Sequence, residues 1–273
     1  MKTAAKVEVL PLNIKVKPTI TFPFRMMLLC KRYSLLCLLY LLLVFACSQS
    51  NEQKAAPLVV VEDEKYMLPA VSPLEKQLMA AGLMNLQDLN CGILVELRYA
   101  STNNFLGKNM YGDLRNAYLQ PEVAKKLLIA QHLLKNTDST LTLLVYDAVR
   151  PLHIQQLMWD SLHVPMQQKR NFLSDPAVGS LHNYGAAVDL TIADSNGNPL
   201  DMGTPYDYIG ELAYPSLENQ LLQSGRLTAQ QVANRQLLRT IMLSAGFTGI
   251  DSEWWHFNAC SREQAKASYR IIE

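Results

Sequence analysis

The fold of this chain is decided by the stretch Ser180-Leu181-His182-Asn183-Tyr184-Gly185-Ala186-Ala187-Val188-Asp189. His182 and Asp189 are seven positions apart and could share a metal ion. Seven extended residues span roughly 23 Å, whereas two ligands of one ion lie no more than about 4 Å apart at their donor atoms. The chain must therefore fold back between them, and Gly185 accepts backbone angles that other residues resist. We predict a turn at Gly185, with His182 on the loop before it and Asp189 on a strand after it.

A second polar group, about 65 residues further on, is Glu253-Trp254-Trp255-His256. Residues three apart on a regular strand point to opposite faces of the sheet. For Glu253 and His256 to approach one ion, either Glu253 precedes the strand or a bulge interrupts it, and the sequence leaves both alternatives open. A hydrolytic zinc site needs three protein ligands, an open position for water and a base for that water. We therefore predict a Zn²⁺ site that includes His182 and His256 and one carboxylate, with the second carboxylate of the pair Asp189 and Glu253 left spare.

The rest of the chain predicts a mixture of helices and strands. We expect strands at 91–99, 141–146, 186–193 and 253–258, and helices at 121–134, 151–162 and 228–244. Strand 141–146 is apolar almost throughout, which is typical of a central strand. The order of elements has no regular βαβ rhythm and no internal repeat. We therefore predict an α+β fold with a central antiparallel or mixed sheet flanked by helices.

The N-terminal region has the pattern of an export signal. Lys31-Arg32 precede an apolar run of fourteen residues, 33–46, which suits a signal peptide and is short for a membrane-spanning helix. The run ends at Ala46-Cys47 and resembles a bacterial lipoprotein signal, in which the cysteine becomes the lipidated N-terminus. We predict lipidation at Cys47, with an ordinary signal peptide or an uncleaved anchor as alternatives.

These signals divide the chain into three parts. Residues 1–46 would be an upstream extension plus the lipoprotein signal peptide, 47–72 the lipidated N-terminus and tether, and 73–273 the folded domain. Met26-Met27 is a better start for the signal than residue 1, so the true start codon stays open. Ser48 after the cysteine resembles outer-membrane lipoproteins, and we expect a protein anchored there by its lipid and facing the periplasm.

Composition narrows the possible partners. The 273 residues carry 25 Lys and Arg against 24 Asp and Glu, a formal net charge of +1. No basic stripe with interleaved aromatic residues is present, so we expect no nucleic acid partner. Outside the signal region and Cys47, only Cys91 and Cys260 remain, and a disulfide or two free thiols are both open. The oligomeric state is likewise open.

Five segments, in order, resemble the VanX-type D-alanyl-D-alanine dipeptidases, within the zinc D,D-peptidases of peptidase family M15. Residues 180–189 fit every fixed position of Ser-x-His-x-x-Gly-x-Ala-x-Asp, and 253–256 match Glu-Trp-Trp-His. Residues 98–107, 146–151 and 201–207 look like the family segments Tyr-Ala-Thr…Asn-Phe-x-Gly, Asp-x-x-Arg-Pro and Met-Gly-x-x-Phe-Asp. The resemblance runs from about residue 85 to 258 and implies a single zinc-peptidase domain with a D,D-peptidase or hedgehog-like fold.

The resemblance also implies a role for each matched residue. His182, Asp189 and His256 would hold zinc, Glu253 would be the general base, and Arg150 would face the scissile carbonyl. A structural ion pair with an acid such as Asp147 is the alternative role for Arg150. Three further residues would receive the small dipeptide, with the last of them near its free amine: Tyr99, Ser180 and Asp207.

The function that these residues imply is zinc-dependent hydrolysis of the D-alanyl-D-alanine dipeptide, linked to cell-wall peptide metabolism. One alternative is a D,D-carboxypeptidase that trims longer peptidoglycan stem peptides with the same metal chemistry. Another is a zinc-stabilised lipoprotein that binds wall peptides without cutting them, although a structural zinc has no need of Glu253. The sequence does not distinguish recycling, nutrient scavenging and glycopeptide resistance as the physiological role.

Overall fold

The computed structural model describes residues 71–273. The predicted signal peptide, Cys47 and nearly all of the tether lie outside these residues. Within them, no helix combines the length and apolar character that crossing a membrane requires. The first helix begins at Pro73, where the Ser72 hydroxyl accepts a hydrogen bond from the Glu75 amide and the Glu75 side chain accepts one from Ser72. This reciprocal cap fixes the start of the described fold.

The described chain contains both helices and strands, and most of the strands are short. The helices are α1 (Pro73–Ala80), α2 (Pro121–Thr137), α3 (Leu152–Ser161), α4 (Met166–Lys169), α5 (Glu218–Gln223), α6 (Ala229–Ser244) and α7 (Arg262–Ser268). The strands are β1 (Met84–Asn85), β2 (Leu94–Val95), β3 (Tyr118–Leu119), β4 (Thr142–Asp147), β5 (Ala187–Ala193), β6 (Thr248–Gly249) and β7 (His256–Asn258).

Five strands form the central sheet, in the order β2-β4-β5-β7-β6. β2 runs parallel to β4, and the other neighbours are antiparallel, so the sheet is mixed. Every residue of β4 and β5 is buried, α2 packs on β4, and α6 packs on both α2 and β5. A separate pair, β1 with β3, is antiparallel. The predicted α+β class with a central mixed sheet is confirmed.

Two of the predicted strands are shorter than expected. Residues 91–99 form only β2, and a 3₁₀ turn follows at Arg98–Ala100. β2 is an edge strand, and Gly92 before it has a φ of +73°, which breaks extended pairing. Strand 141–146 lies inside the sheet as expected, although β5 is the middle strand.

The last strand begins at His256 instead of residue 253. The indole Nε1 of Trp254 donates to the Thr204 hydroxyl at 2.8 Å, and the ring of Trp254 stands at 89° to that of Trp255. This packing draws Trp254 toward the 201–207 loop, while the carbonyl of Trp255 still accepts a hydrogen bond from the Leu190 amide of β5 at 3.1 Å.

Cys91 and Cys260 are both free thiols. Of the two alternatives that the sequence leaves open for them, the structure therefore has the unbridged one.

Candidate active site

Three side chains from two strands and a turn converge on one point. Oδ1 of Asp189 on β5 lies 2.9 Å from Nδ1 of His256 on β7 and 3.3 Å from Nε2 of His182. The two imidazole nitrogens are 3.2 Å apart. Four tetrahedral ligands at about 2.0–2.1 Å from a metal ion lie about 3.3 Å from one another. The three donors therefore have the spacing of three ligands around one tetrahedral metal ion, and they form a candidate metal cluster within the described residues.

Hydrogen bonds fix which nitrogen of each imidazole faces this point. Nδ1 of His182 lies 2.6 Å from the Ala148 carbonyl oxygen, which can only accept, so Nδ1 carries the proton and Nε2 keeps its lone pair. Nε2 of His256 lies 2.9 Å from Oδ1 of Asn258, which leaves its Nδ1 as the lone-pair atom. Two lone pairs and a carboxylate oxygen directed at one point repel each other unless a cation lies between them. The donor set, two nitrogens and one oxygen, fits a divalent ion such as zinc.

The charges around the three donor atoms favour a positive charge at the point where these atoms meet. When no cation is bound, Nδ1 of His256 carries a proton in place of the free lone pair: burial alone would lower the pKa of His256, but the hydrogen bond from Nδ1 to Asp189 and the charges of Asp189 and Glu253 raise it to about 9. A bound metal ion would take the place of that proton. Burial opposes ionisation of Asp189, yet the neighbouring His182 and His256 hold the pKa of Asp189 well below its usual range. Tyr206 adds a hydrogen bond from its hydroxyl to Oδ2 of Asp189 at 3.0 Å, which orients the carboxylate.

A tight turn brings His182 to Asp189. Residues Leu181–Tyr184 form a 3₁₀ helix capped by the Ser180 hydroxyl, so His182 sits on a short helix where a loop was predicted. Gly185 follows with a φ of +62°, the left-handed conformation that glycine adopts readily. The chain reverses here and enters β5, as the sequence predicts.

Alanine at Gly185 is expected to destabilise the fold more than alanine at Gly112. Both glycines have similar positive φ values, +62° and +57°, so each variant should lose about 1 kcal/mol to backbone strain. A Cβ at Gly185 would also lie 2.9 Å from Cδ2 of Leu83 and 3.3 Å from the amide nitrogen of Gln120, whereas a Cβ at Gly112 meets nothing within 4 Å. We expect about 1–3 kcal/mol of additional loss at Gly185 from overpacking, measured by urea unfolding. Equal losses in the two variants would contradict this account.

Glu253 lies beside the three donors without joining them. It precedes β7, so the first of the two alternatives for its placement is the one observed. Its Oε2 is 4.0 Å from Nδ1 of His256, and its side chain is 38% exposed on the cavity side. Enclosure in the cavity and the negative charge of Asp189 raise the pKa of Glu253, against the pull of His256 and His182. A carboxylate with a raised pKa next to a metal site can take and return a proton.

Arg150 is buried and bound to an equally buried acid. Its Nε donates to Oδ2 of Asp147 at 3.0 Å, and its Nη2 contacts the same oxygen. Its guanidinium also lies 3.8 Å from Oδ2 of Asp189 and 5.1 Å from the Tyr99 ring centroid. Arg150 therefore makes the ion pair considered as its structural alternative and also lines the cavity beside the donors. The Tyr111 hydroxyl, which donates to Asp147, completes this buried network.

Arg150 and His182 are joined through their backbones. The Arg150 amide donates to the His182 carbonyl at 3.0 Å, and Nδ2 of Asn183 donates to the Arg150 carbonyl at 2.8 Å. Ile272 bridges the same region, because its amide donates to the Asn183 carbonyl and its carbonyl accepts from Leu152. These bonds hold the strand end that carries Arg150 against the turn that carries His182.

Two of the predicted substrate residues form a pair. The Tyr99 hydroxyl donates to Oδ2 of Asp207 at 2.8 Å. Asp207 has a φ of +60°, a conformation that few residues other than glycine adopt, and such local strain is commonest at functional positions. Burial and the charges of Asp189 and Glu253 raise the pKa of Asp207, although the Tyr99 hydrogen bond lowers it. Ser180, the third of these residues, lines the same cavity, but its hydroxyl already accepts a hydrogen bond from the His182 amide as the cap of the 3₁₀ helix.

The metal cluster, Glu253, Arg150 and the three substrate residues all line one cavity of about 380 Å³. A second cavity of about 600 Å³ adjoins it, and Asp207, Glu253 and Trp255 line both. We call the first the catalytic lobe and the second the outer lobe of the cleft. The other three histidines, His132, His153 and His163, are all exposed, on helices or a loop, and none of them belongs to the cluster.

Sequence reasoning missed the residues that orient the ligands. Asn258 could have been found, because it lies two positions after His256 and therefore on the same side of the strand. Tyr206 lies within the 201–207 segment, next to Asp207, and carried no signal of its own. The Ala148 carbonyl is a backbone group, so no side-chain pattern could reveal it.

Comparisons with known proteins agree with the motif segments. The sequence model of a family described as D-ala-D-ala dipeptidase, peptidase M15, matches residues 79–271. A D-alanyl-D-alanine dipeptidase of Escherichia coli (strain K12) is 38% identical over 169 residues, 60% of this chain and 77% of that protein. One from Synechocystis sp. is 30% identical over 168 residues, 51% of this chain and 68% of that protein. The solved structure of the LdcB LD-carboxypeptidase has a TM-score of 0.34 at 20% identity, over 55% of this chain and 63% of that one. A TM-score this low does not establish a common fold.

Proposed function

The chain belongs to the D-ala-D-ala dipeptidase family of M15 peptidases and is a metallopeptidase, and from this premise we propose that it hydrolyses the D-alanyl-D-alanine dipeptide with one bound zinc ion. The family resemblance indicated by the five sequence segments is confirmed. The single observation that carries the proposal is the convergence of three donor atoms, 2.9–3.3 Å apart, beside a carboxylate that is not among them.

His182, Asp189 and His256 would hold the zinc. Each imidazole is oriented by a hydrogen bond on its far nitrogen, and Tyr206 orients the carboxylate. When bound, zinc supplies a Lewis acid for the scissile carbonyl and lowers the pKa of a water molecule to about 7. Within residues 71–273, only three protein donors converge, which is the arrangement of catalytic sites, whereas structural zinc sites have four.

Glu253 moves the proton in this proposal. Its carboxylate accepts a proton from the attacking water and returns it to the amine that leaves when the peptide bond breaks. The raised pKa of Glu253 brings its proton affinity closer to that of the groups it serves. Trp254 and Trp255, both buried behind it, limit the access of bulk water on that side.

Arg150 stabilises the negative charge that develops on the carbonyl oxygen. Its guanidinium stays protonated, and Asp147 holds it from behind, so it is already oriented when the substrate arrives. The ion pair with Asp147 and the catalytic role are therefore compatible, because the ion pair positions the guanidinium of Arg150 for catalysis.

Arg150→Ala is expected to lower kcat by about 10²–10³-fold while the metal is retained, as for the loss of an oxyanion donor. It should also destabilise the fold by about 3–5 kcal/mol, since Asp147 would remain buried without its partner. The measurement is kcat per folded molecule, with metal content and urea unfolding determined on the same sample. Reduced stability with unchanged kcat would show that Arg150 only forms the ion pair with Asp147 and does not take part in catalysis.

The dipeptide would be recognised by its charged amine. Asp207, hydrogen-bonded to Tyr99, is one of two acids at the boundary of the catalytic lobe, and because Glu253 is given the role of base, we propose that Asp207 accepts the free amine. Ser180 would contact the substrate on the other side of the lobe, close to His182. These roles rest on the family resemblance and on the position of the three residues around one cavity.

A second candidate function is D,D-carboxypeptidase activity on longer stem peptides. One observation favours it: the cleft continues past Asp207 and Glu253 into the outer lobe, which has room for an N-terminal extension. The test is turnover of free D-Ala-D-Ala against a stem pentapeptide ending in D-Ala-D-Ala, with chelated and with zinc-restored protein. We expect hydrolysis of the dipeptide only after zinc is restored, and a lower kcat/KM for the pentapeptide. A higher kcat/KM for the pentapeptide would establish the second candidate instead.

For localisation, we propose an exported lipoprotein, attached to the outer membrane through Cys47 and facing the periplasm. The support is the sequence: Lys31-Arg32, the apolar run and the cysteine that ends it. A Cys47→Ala variant should lose lipid labelling and leave the membrane fraction. Labelling that survives the substitution would refute this assignment.

A further inference from the structure

Arg262, the first residue of α7, lines the catalytic lobe. Its Nη1 donates to the carbonyl oxygens of Val178 and Gly179, at 2.8 and 2.9 Å. These two residues directly precede Ser180, so the guanidinium is fixed next to the cavity wall that Ser180 forms.

Among the described residues, Arg262 makes no ion pair, although its charge helps to lower the pKa of the adjacent Glu263. Two arginines line the catalytic lobe, and Arg150 is neutralised by the buried Asp147. Within residues 71–273, no carboxylate lies within ion-pair distance of Arg262, and only its Nη1 has hydrogen-bond partners. Nε and Nη2 are therefore available to a ligand that presents an oxygen anion.

The substrate carries such an anion. A dipeptide has an amine at one end and a carboxylate at the other, at most about 7 Å apart in an extended chain. Asp207 lies where the catalytic lobe meets the outer lobe, whereas Ser180 and Arg262 line the catalytic lobe alone. With the amine at Asp207 and the scissile carbonyl between the metal donors and Arg150, the free carboxylate points toward Ser180 and Arg262.

We propose that Arg262 binds the C-terminal carboxylate of the substrate and so determines specificity for peptides with a free C-terminus. This inference rests on the proposed function. A guanidinium can bind a carboxylate through two parallel hydrogen bonds, and the two bonds from Nη1 to the protein hold it in place for that purpose. The carboxylate of Asp207 at one side of the lobe and the guanidinium of Arg262 at the other match the amine and the carboxylate of a dipeptide.

The test compares D-Ala-D-Ala with its C-terminal amide, in the zinc-loaded wild type and in Arg262→Gln. We expect Arg262→Gln to lower kcat/KM for the free dipeptide by about 10- to 100-fold, chiefly through KM, on the typical strength of a hydrogen bond to a charged group. For the amide, which lacks the carboxylate, the same substitution should change kcat/KM less than about threefold. Lys266→Gln, which removes an exposed cation from the same helix, is the matched control and should alter neither substrate.

The comparison separates recognition from structure. If Arg262 acts only by holding Val178 and Gly179, its substitution will lower kcat/KM equally for the two substrates, and the proposal is wrong. Arg262→Lys keeps the positive charge but not the paired N–H donors of the guanidinium. We expect its kcat/KM for the free dipeptide to lie between those of Arg262→Gln and the wild type, and its kcat/KM for the amide to match that of Arg262→Gln. Absence of turnover by the wild type with either substrate would instead overturn the proposed function, and this inference with it.

Discussion

Glu253→Gln is expected to retain the bound metal and to lose at least about 10³-fold in kcat, because an amide cannot accept the proton of the attacking water. The carboxylate stands 4.0 Å from Nδ1 of His256, outside the set of three donors, so its loss should leave metal binding intact. The variant keeps the size and shape of the side chain and removes only its charge and basicity. Metal content per chain and single-turnover kinetics with D-Ala-D-Ala measure the two effects separately.

Glu122→Gln is the matched control for this variant. Glu122 is a largely exposed acid near the start of α2 that forms an ion pair with Lys125, and its substitution makes the same change of charge outside the residues that line the cleft. We expect it to leave kcat and metal content unchanged. If Glu253→Gln loses its metal, Glu253 is a ligand and the division of roles proposed here is wrong.

The metal cluster could be predicted because two of its ligands lie close together in the sequence. His182 and Asp189 are close in sequence, and only a reversal at Gly185 lets them share an ion, so spacing and residue type define the geometry. The position of Glu253 could not be decided in the same way. Whether β7 begins at residue 253 or at His256 depends on the contact of Trp254 with Thr204, fifty positions away, and no strand pattern reports such a contact.

The rest of the site depends on long-range packing. Asp147 forms an ion pair with Arg150, three positions later, and this pair could be predicted from the sequence. The Tyr111 hydroxyl, which also donates to Asp147, comes from a loop that no sequence pattern connects with the site. Arg262 lies outside every motif segment and reaches the cleft only because α7 packs beside the turn before His182. Motifs thus predicted the groups that perform the chemistry better than those that orient them or bind the ends of the substrate.

His182→Ala and His256→Ala are each expected to lose the metal and the activity together. Either substitution leaves two of the three donors, and an open site with two protein ligands holds zinc far more weakly. We expect turnover of D-Ala-D-Ala at the level of the chelated wild type and a zinc content well below one per chain after dialysis. His132→Ala, at an exposed position on α2, is the control and should match the wild type in both measurements.

Thermal unfolding gives the same prediction a readout that does not depend on catalysis. An ion that binds only the folded state raises Tm in proportion to the logarithm of its concentration over Kd. Added zinc should therefore raise Tm of the wild type and of His132→Ala, and should leave Tm of His182→Ala and His256→Ala nearly unchanged. Both ligand variants lie on elements that would remain folded, because the 3₁₀ turn is capped by Ser180 and β7 is paired with β5 and β6. Full zinc occupancy in both variants would show that the ion binds elsewhere, and every role assigned to Glu253, Arg150 and Arg262 relative to that ion would be lost.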